Sequence, residues 1–96
     1  MRQYELTIIV SPEVADDDLP DAIDRLIRQP VEGQGGEVQD VNQWGRRKLA
    51  YPIQKQLEGN YVITQLRLDP QRTKELEQKL TISEEVMRHL LIRLDE

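Results

Sequence analysis

The chain has 96 residues, with 13 Lys and Arg, 18 Asp and Glu, one His, no Cys and a net charge of −5. That length predicts a single domain over residues 1–96, and the lack of Cys excludes a disulfide scaffold or a thiolate metal site. No apolar run approaches the roughly 20 residues of a membrane span, and Met1-Arg2-Gln3-Tyr4-Glu5 enters a strand with no signal-peptide region, which predicts a cytoplasmic protein.

Residues 3–10 alternate as a strand. Tyr4, Leu6, Ile8 and Val10 share one face, with Gln3, Glu5, Thr7 and Ile9 on the other. Ser11-Pro12 ends it. Asp16-Asp17-Asp18 then open an amphipathic helix, where carboxylates suit the free N–H groups and serve as caps; a run of acids at that place does not predict a metal site. Leu19, Ile23, Leu26, Ile27 and Val31 form its buried stripe. Pro30 has no N–H for the Leu26 carbonyl, so the helix is expected to kink or stop there. Gly33, Gly35 and Gly36 supply the turn, without the G-x-x-x-x-G-K-[ST] pattern of a phosphate loop.

Residues 37–44 and 46–51 form one long strand with Gly45 as a bulge or bend. Pro52 breaks or edges it. Residues 54–60 are the hairpin connection, with Gly59-Asn60 as its turn. In residues 61–68, Val62, Thr64, Leu66 and Leu68 alternate with Tyr61, Ile63, Gln65 and Arg67. Asp69-Pro70 start a second helix, with Asp as cap and Pro in the first turn, and Leu76 and Leu80 are its core positions. Residues 86–94 are the last strand. The order strand, helix, strand, strand, helix, strand predicts an α+β fold: a ferredoxin-like sandwich with a four-stranded antiparallel sheet and both helices on one face.

Charge is unevenly placed. Residues 11–40 carry a net of −7, whereas residues 44–61 carry Arg46, Arg47, Lys48 and Lys55 against Glu58, a net of +3. Cations neutralise phosphates, and flat rings and guanidinium planes stack on unpaired bases, so this local patch suits RNA.

The run Trp44-Gly45-Arg46-Arg47-Lys48-Leu49-Ala50-Tyr51-Pro52-Ile53, with Lys55, Gly59 and Tyr61 after it, resembles the family of bacterial small-subunit ribosomal protein six. The resemblance extends to the opening five residues, to Gly35-Gly36-Glu37-Val38 and to Val86-Met87-Arg88-His89, so it spans nearly the whole chain. It implies the same ferredoxin-like fold and a structural role in the small subunit of the ribosome. It further implies binding to the central domain of the small-subunit ribosomal RNA, paired with small-subunit ribosomal protein eighteen. The RNA contacts it implies are Arg2, Tyr4, Arg46, Arg47, Lys48, Lys55 and Arg88. Trp44 and Tyr51 are expected to brace the hairpin by packing. Arg46 and Lys48 face one way along the strand and Arg47 the other. The family continues its first helix without a proline at the place of Pro30, and some members carry a long C-terminal tail. Here the chain ends at Asp95-Glu96, so contacts borne by such a tail are expected to be absent.

Two helices cover one face of a four-stranded sheet, and the other face carries Ile9, Tyr61 and Ile63. The last strand is apolar on both faces. An apolar strip on an open sheet marks a partner surface, so Ile9, Tyr61, Ile63, Leu90 and Ile92 are the expected protein-partner residues. Alternation leaves open whether Leu90 and Ile92, or Leu91 and Met87, are core.

Nothing in the sequence assembles an active site. Arg88 and His89 point to opposite faces, and Ser11 and Ser83 are turn residues without a His or Lys partner. No enzyme, cofactor, metal or small-molecule substrate is predicted. Two other readings of the fold remain. One is a single-strand RNA-recognition domain, which would use Tyr4 and Tyr61 in its central strands but lacks the expected aromatic run. The other is a ligand-binding regulatory domain working at loops 11–18 and 69–72.

Overall fold

The computed structural model describes residues 1–94. Four strands, β1 (Arg2–Val10), β2 (Glu37–Ile53), β3 (Gln56–Leu68) and β4 (Val86–Arg93), pair antiparallel in the order β2-β3-β1-β4. Helix α1 (residues 16–33) follows β1 and α2 (Thr73–Ile82) follows β3. Both helices lie on one face of the sheet, as the ferredoxin-like expectation requires.

The core follows from strand alternation and helical spacing. Leu6, Ile8 and Val10 of β1 and Val62, Leu66 and Leu68 of β3 are fully buried against Ile27, Val31, Leu76 and Leu80. Ile8 lies opposite Val62 and Leu6 opposite Thr64, so the even-numbered residues of both strands share the helix-facing side. The buried apolar surface of these side chains is the main stabilising contribution, at roughly 25 cal/mol per Å² removed from water.

Helix α1 opens with a 3-10 turn at Asp16–Asp18 and is α-helical over Leu19–Ile23, π-helical over Asp24–Arg28 and α-helical again over Gln29–Gly33. The helix therefore does not stop at Pro30. The π turn accommodates the proline: the Gln29 N–H donates to the Asp24 carbonyl, five residues back. This wider turn relieves the crowding that a proline ring causes against the carbonyl four residues earlier. The Gln29 side-chain amide spans the same interval, donating to Asp24 Oδ2 at 2.9 Å. The three aspartates also differ from expectation. None makes a side-chain cap: Ala15 occupies the cap position of the 3-10 turn, and Asp18, at the cap of the α-helical segment, makes no side-chain hydrogen bond there, so they act on the helix by their charge in its first turn. Asp69 does cap, accepting from the Gln71 N–H at 2.9 Å.

The β2–β3 hairpin turns at Gln54-Lys55, not at Gly59-Asn60. Ile53 pairs with Gln56, and Gln54 and Lys55 have φ of 52° and 67°. Two successive residues of positive φ match the twist of the flanking strands. Gly59 and Asn60 are buried inside β3 instead. A Cβ on Gly59 would collide with Ile9 Cγ2, so glycine is there for close approach. Asn60 donates to the Ser11 carbonyl, tying β3 to the end of β1. The bulge expected at Gly45 is present: Gln43 pairs with Val62 and Gly45 with Tyr61, leaving Trp44 unpaired, and Gly45 has φ +83°.

Register assigns the two sides of β4. Leu91 lies opposite Leu6 and packs against the core, whereas Leu90 lies opposite Thr7 and Ile92 opposite Glu5, on the open face. Met87 does not accompany Leu91. The ladder slips between Ile9 and Val10, and the Met87 sulfur lies near Gly59 and Ile9. The expectation about Asp95-Glu96 lies outside the described residues.

Candidate nucleic-acid and partner interface

The hairpin carries the basic residues beyond the body of the sheet. Arg46 lies opposite Asn60, Arg47 opposite Gly59 and Lys48 opposite Glu58. Since Asn60 belongs to the helix-facing set and Gly59 to the other, Arg46 and Lys48 point one way and Arg47 the other. Lys55 sits in the turn. All four are exposed.

Their surroundings differ. Arg46 reaches the β1–α1 loop, where its Nη2 donates to the Pro12 carbonyl at 2.9 Å. That contact fixes the guanidinium at the rim of an open hollow lined by Pro12, Glu13, Arg46, Lys55, Gln56, Leu57 and Glu58. Two cations and two carboxylates share this hollow, which weakens it as a site for a bare anion. The Arg47 guanidinium lies over the Trp44 ring, 5.1 Å from its centroid. Trp44 is 52% exposed, and the packing it gives the hairpin includes the Arg47 side chain. Tyr51 braces it by a hydrogen bond: it is exposed, and its hydroxyl accepts from Arg88 Nη1.

Arg88 lies opposite Ile9 near the hairpin end of the sheet. Arg46, Arg47, Lys48, Lys55 and Arg88 are thus gathered at one end. Arg2 is not among them. It pairs with Leu68 at the far end of β1, eight residues from Val10, or roughly 27 Å along a strand. Tyr4 is corrected outright. Its side chain is 7% exposed and belongs to the core, so no base can reach its ring. The RNA-recognition alternative loses the same ring and keeps only half-buried Tyr61 on the open face.

The five expected partner residues all lie on the open face. Ile9 pairs with Tyr61, Thr7 with Ile63, and Leu90 and Ile92 face the same side. Leu90 is 56% and Ile92 46% exposed, and Tyr61 and Ile63 are half-buried. Ile9 is the exception at 7% exposed; its own chain already covers it, so it offers little area to a partner.

His89 faces the helices, opposite Ile8, with Nε2 3.6 Å from Glu77 Oε1. Arg88 on the opposite face cannot act with it on one atom. Another ionic link across elements is Arg25 with Glu85, bidentate at 2.5 and 3.1 Å, which joins α1 to the entry of β4. The hydrogen bonds from Arg25 hold the Glu85 carboxyl below the usual range, against a smaller opposing effect of partial burial. Among the described residues no group of three or more His, Asp or Glu side chains is placed to hold a metal ion.

The Trp44–Arg47 stack and the Tyr51–Arg88 bond were not foreseen from the sequence. The first had a signal in Gly45, whose bulge turns Trp44 out of the ladder. The second had none, because it joins residues 37 positions apart.

Residues 3–93 match the protein family described as Ribosomal protein S6. The small ribosomal subunit protein bS6 of Caldanaerobacter subterraneus subsp. tengcongensis is 41% identical over 96 residues, covering the whole of both chains. That of Leifsonia xyli subsp. xyli is 42% identical over 96 residues, covering all of this chain and 74% of its own. The crystal structure of 30S ribosomal protein S6 from Thermotoga maritima matches with a TM-score of 0.89 at 31% identity, over 97% of this chain and 87% of that one.

Proposed function

Because the chain belongs to the ribosomal protein S6 family of the small ribosomal subunit, we propose that it binds the central domain of the small-subunit ribosomal RNA, paired with small-subunit ribosomal protein eighteen. The role is structural, in keeping with a family of ribosomal proteins and not of enzymes. One observation carries the RNA part: Arg46, Arg47, Lys48, Lys55 and Arg88 gather at one end of a molecule whose net charge is −5. The protein-partner part is supported by the exposed Leu90 and Ile92 on the open sheet face.

The small number of cations sets the strength. Each phosphate neutralised adds to the salt dependence of binding, and five cations in an acidic protein predict a modest slope and weak binding alone. The partner protein supplies the remainder. Titration of the RNA fragment near physiological salt, with and without protein eighteen, tests this. Tight binding only with both proteins is the expected result; nanomolar binding by this chain alone would overturn the paired mechanism.

A second measurement separates contact from scaffold. Arg46→Ala with Arg47→Ala should lower RNA capture by the complex while costing about 1 kcal/mol or less in folding, since both side chains are exposed. A large fall in melting temperature with unchanged capture would make these residues structural.

A further inference from the structure

We propose that Trp44 and Arg47 form a platform on which one unpaired nucleobase of the RNA stacks, an inference that rests on the RNA-binding reading of the hairpin. The backbone singles Trp44 out. Its neighbours Gln43 and Gly45 pair with Val62 and Tyr61, so Trp44 falls in the bulge with no partner across the ladder. Its indole is half exposed, and the residue across from Arg47 is Gly59, which has no side chain to cover the stack.

The guanidinium and the indole already lie one over the other. A base adds to such a pair as a third flat layer, because nucleobases stack both on aromatic rings and on guanidinium planes. Charge selects a nucleic acid over a protein here. Arg47 is itself a cation, and Lys55 in the turn and Arg46 and Lys48 on the other face of the strand share the hairpin with it, whereas the acidic residues concentrate in 11–40. Position agrees: the apolar strip of Leu90 and Ile92 lies on β4, at the opposite edge of the sheet from β2. Leu90 and Ile92 are thus apart from the platform, whereas Tyr61 of β3 pairs with Gly45 beside it.

Trp44 is the only tryptophan in the chain, so its emission reports on the platform directly. The test adds the central-domain RNA fragment to the preformed complex with protein eighteen, in which any partner tryptophan is replaced by Phe. Emission should fall about twofold or more when RNA is added and change little when the partner protein is added. Trp44→Leu should weaken RNA binding about five- to a hundredfold, the range for loss of one stacked base, with its melting temperature unchanged. Arg47→Lys keeps the charge but loses the plane, and should weaken binding in the same direction. If the RNA binds with unchanged emission and Trp44→Leu binds as tightly as the wild type, the platform is disproved and the RNA-binding reading stands. A response to the partner protein alone would make the stack a protein contact and overturn the proposal. If no RNA binds even with the partner present, both the reading and the platform fall.

Discussion

The Arg88 guanidinium donates to the Tyr51 hydroxyl, joining the last strand to the hairpin limb of β2. These strands lie at opposite edges of the sheet, with β3 and β1 between them. The hairpin must therefore curl across the sheet end for the two side chains to meet. The ladder shows how: between Lys48–Glu58 and Ile53–Gln56, four residues of β2 stand against one of β3. Such an excess on one strand bends it and increases its twist.

Removal of that hydroxyl should loosen the hairpin without unfolding the domain. Tyr51→Phe deletes one exposed hydrogen bond, for a loss of about 1 kcal/mol or less in global stability. Amide exchange in residues 46–58 should accelerate while the core strands β1 and β3 keep their protection. Unchanged exchange in the hairpin would mean that the Arg88 contact does not hold it.

Gly59 is predicted to be intolerant of a methyl group. Gly59→Ala drives its Cβ into Ile9 Cγ2 and should cost on the order of 1–3 kcal/mol by overpacking. Combining it with Ile9→Ala should recover part of that loss, because the clashing atom is gone. Urea unfolding of both single variants and the double variant measures the coupling. Strict additivity would place the cost in the backbone rather than in the contact.

Leu90 and Leu91 are sequence neighbours on opposite faces of β4. Leu91→Ala should destabilise by on the order of 1–2 kcal/mol, less than the roughly 2–5 of a fully buried leucine, because it is half-buried. Leu90→Ala should change stability by about 0.5 kcal/mol or less and weaken capture of protein eighteen. Equal unfolding midpoints for the two variants would contradict the register that separates them.

The Arg25–Glu85 pair makes part of the stability depend on acid. Glu85 has its carboxyl lowered in the folded state, chiefly by the hydrogen bonds from Arg25, so it stabilises the fold above the ordinary glutamate value, about 4.3. That contribution is lost as pH falls below this range through the folded-state value. Glu85→Gln should therefore melt lower than the wild type at neutral pH, and the gap should close in acid. A gap that persists unchanged to about pH 3 would assign it to packing instead of charge.

Local pattern was enough for much of this fold. The alternation in β1 and β3, the stripe of Leu19, Ile23 and Ile27, the Asp69 cap and the Gly45 bulge each follow from the period of side-chain direction or from allowed backbone angles. The burial of Tyr4 was legible too, since it shares parity with Leu6 and Ile8; the family resemblance, not the alternation, placed it among the RNA contacts. Other features depended on residues far apart in the chain. Only the pairing of Leu6 with Leu91 makes Leu91 core and leaves Leu90 exposed on the open face. Only Ile9 explains why Gly59 is a buried glycine and not a turn, and Gln54-Lys55 lacks the usual turn residues that would have announced the true one. Pro30 signalled a break, but burial of Ile27 and Val31 on either side favours a π turn over a helix end. In each case local chemistry allowed two outcomes, and the contact across the sheet or the core selected one.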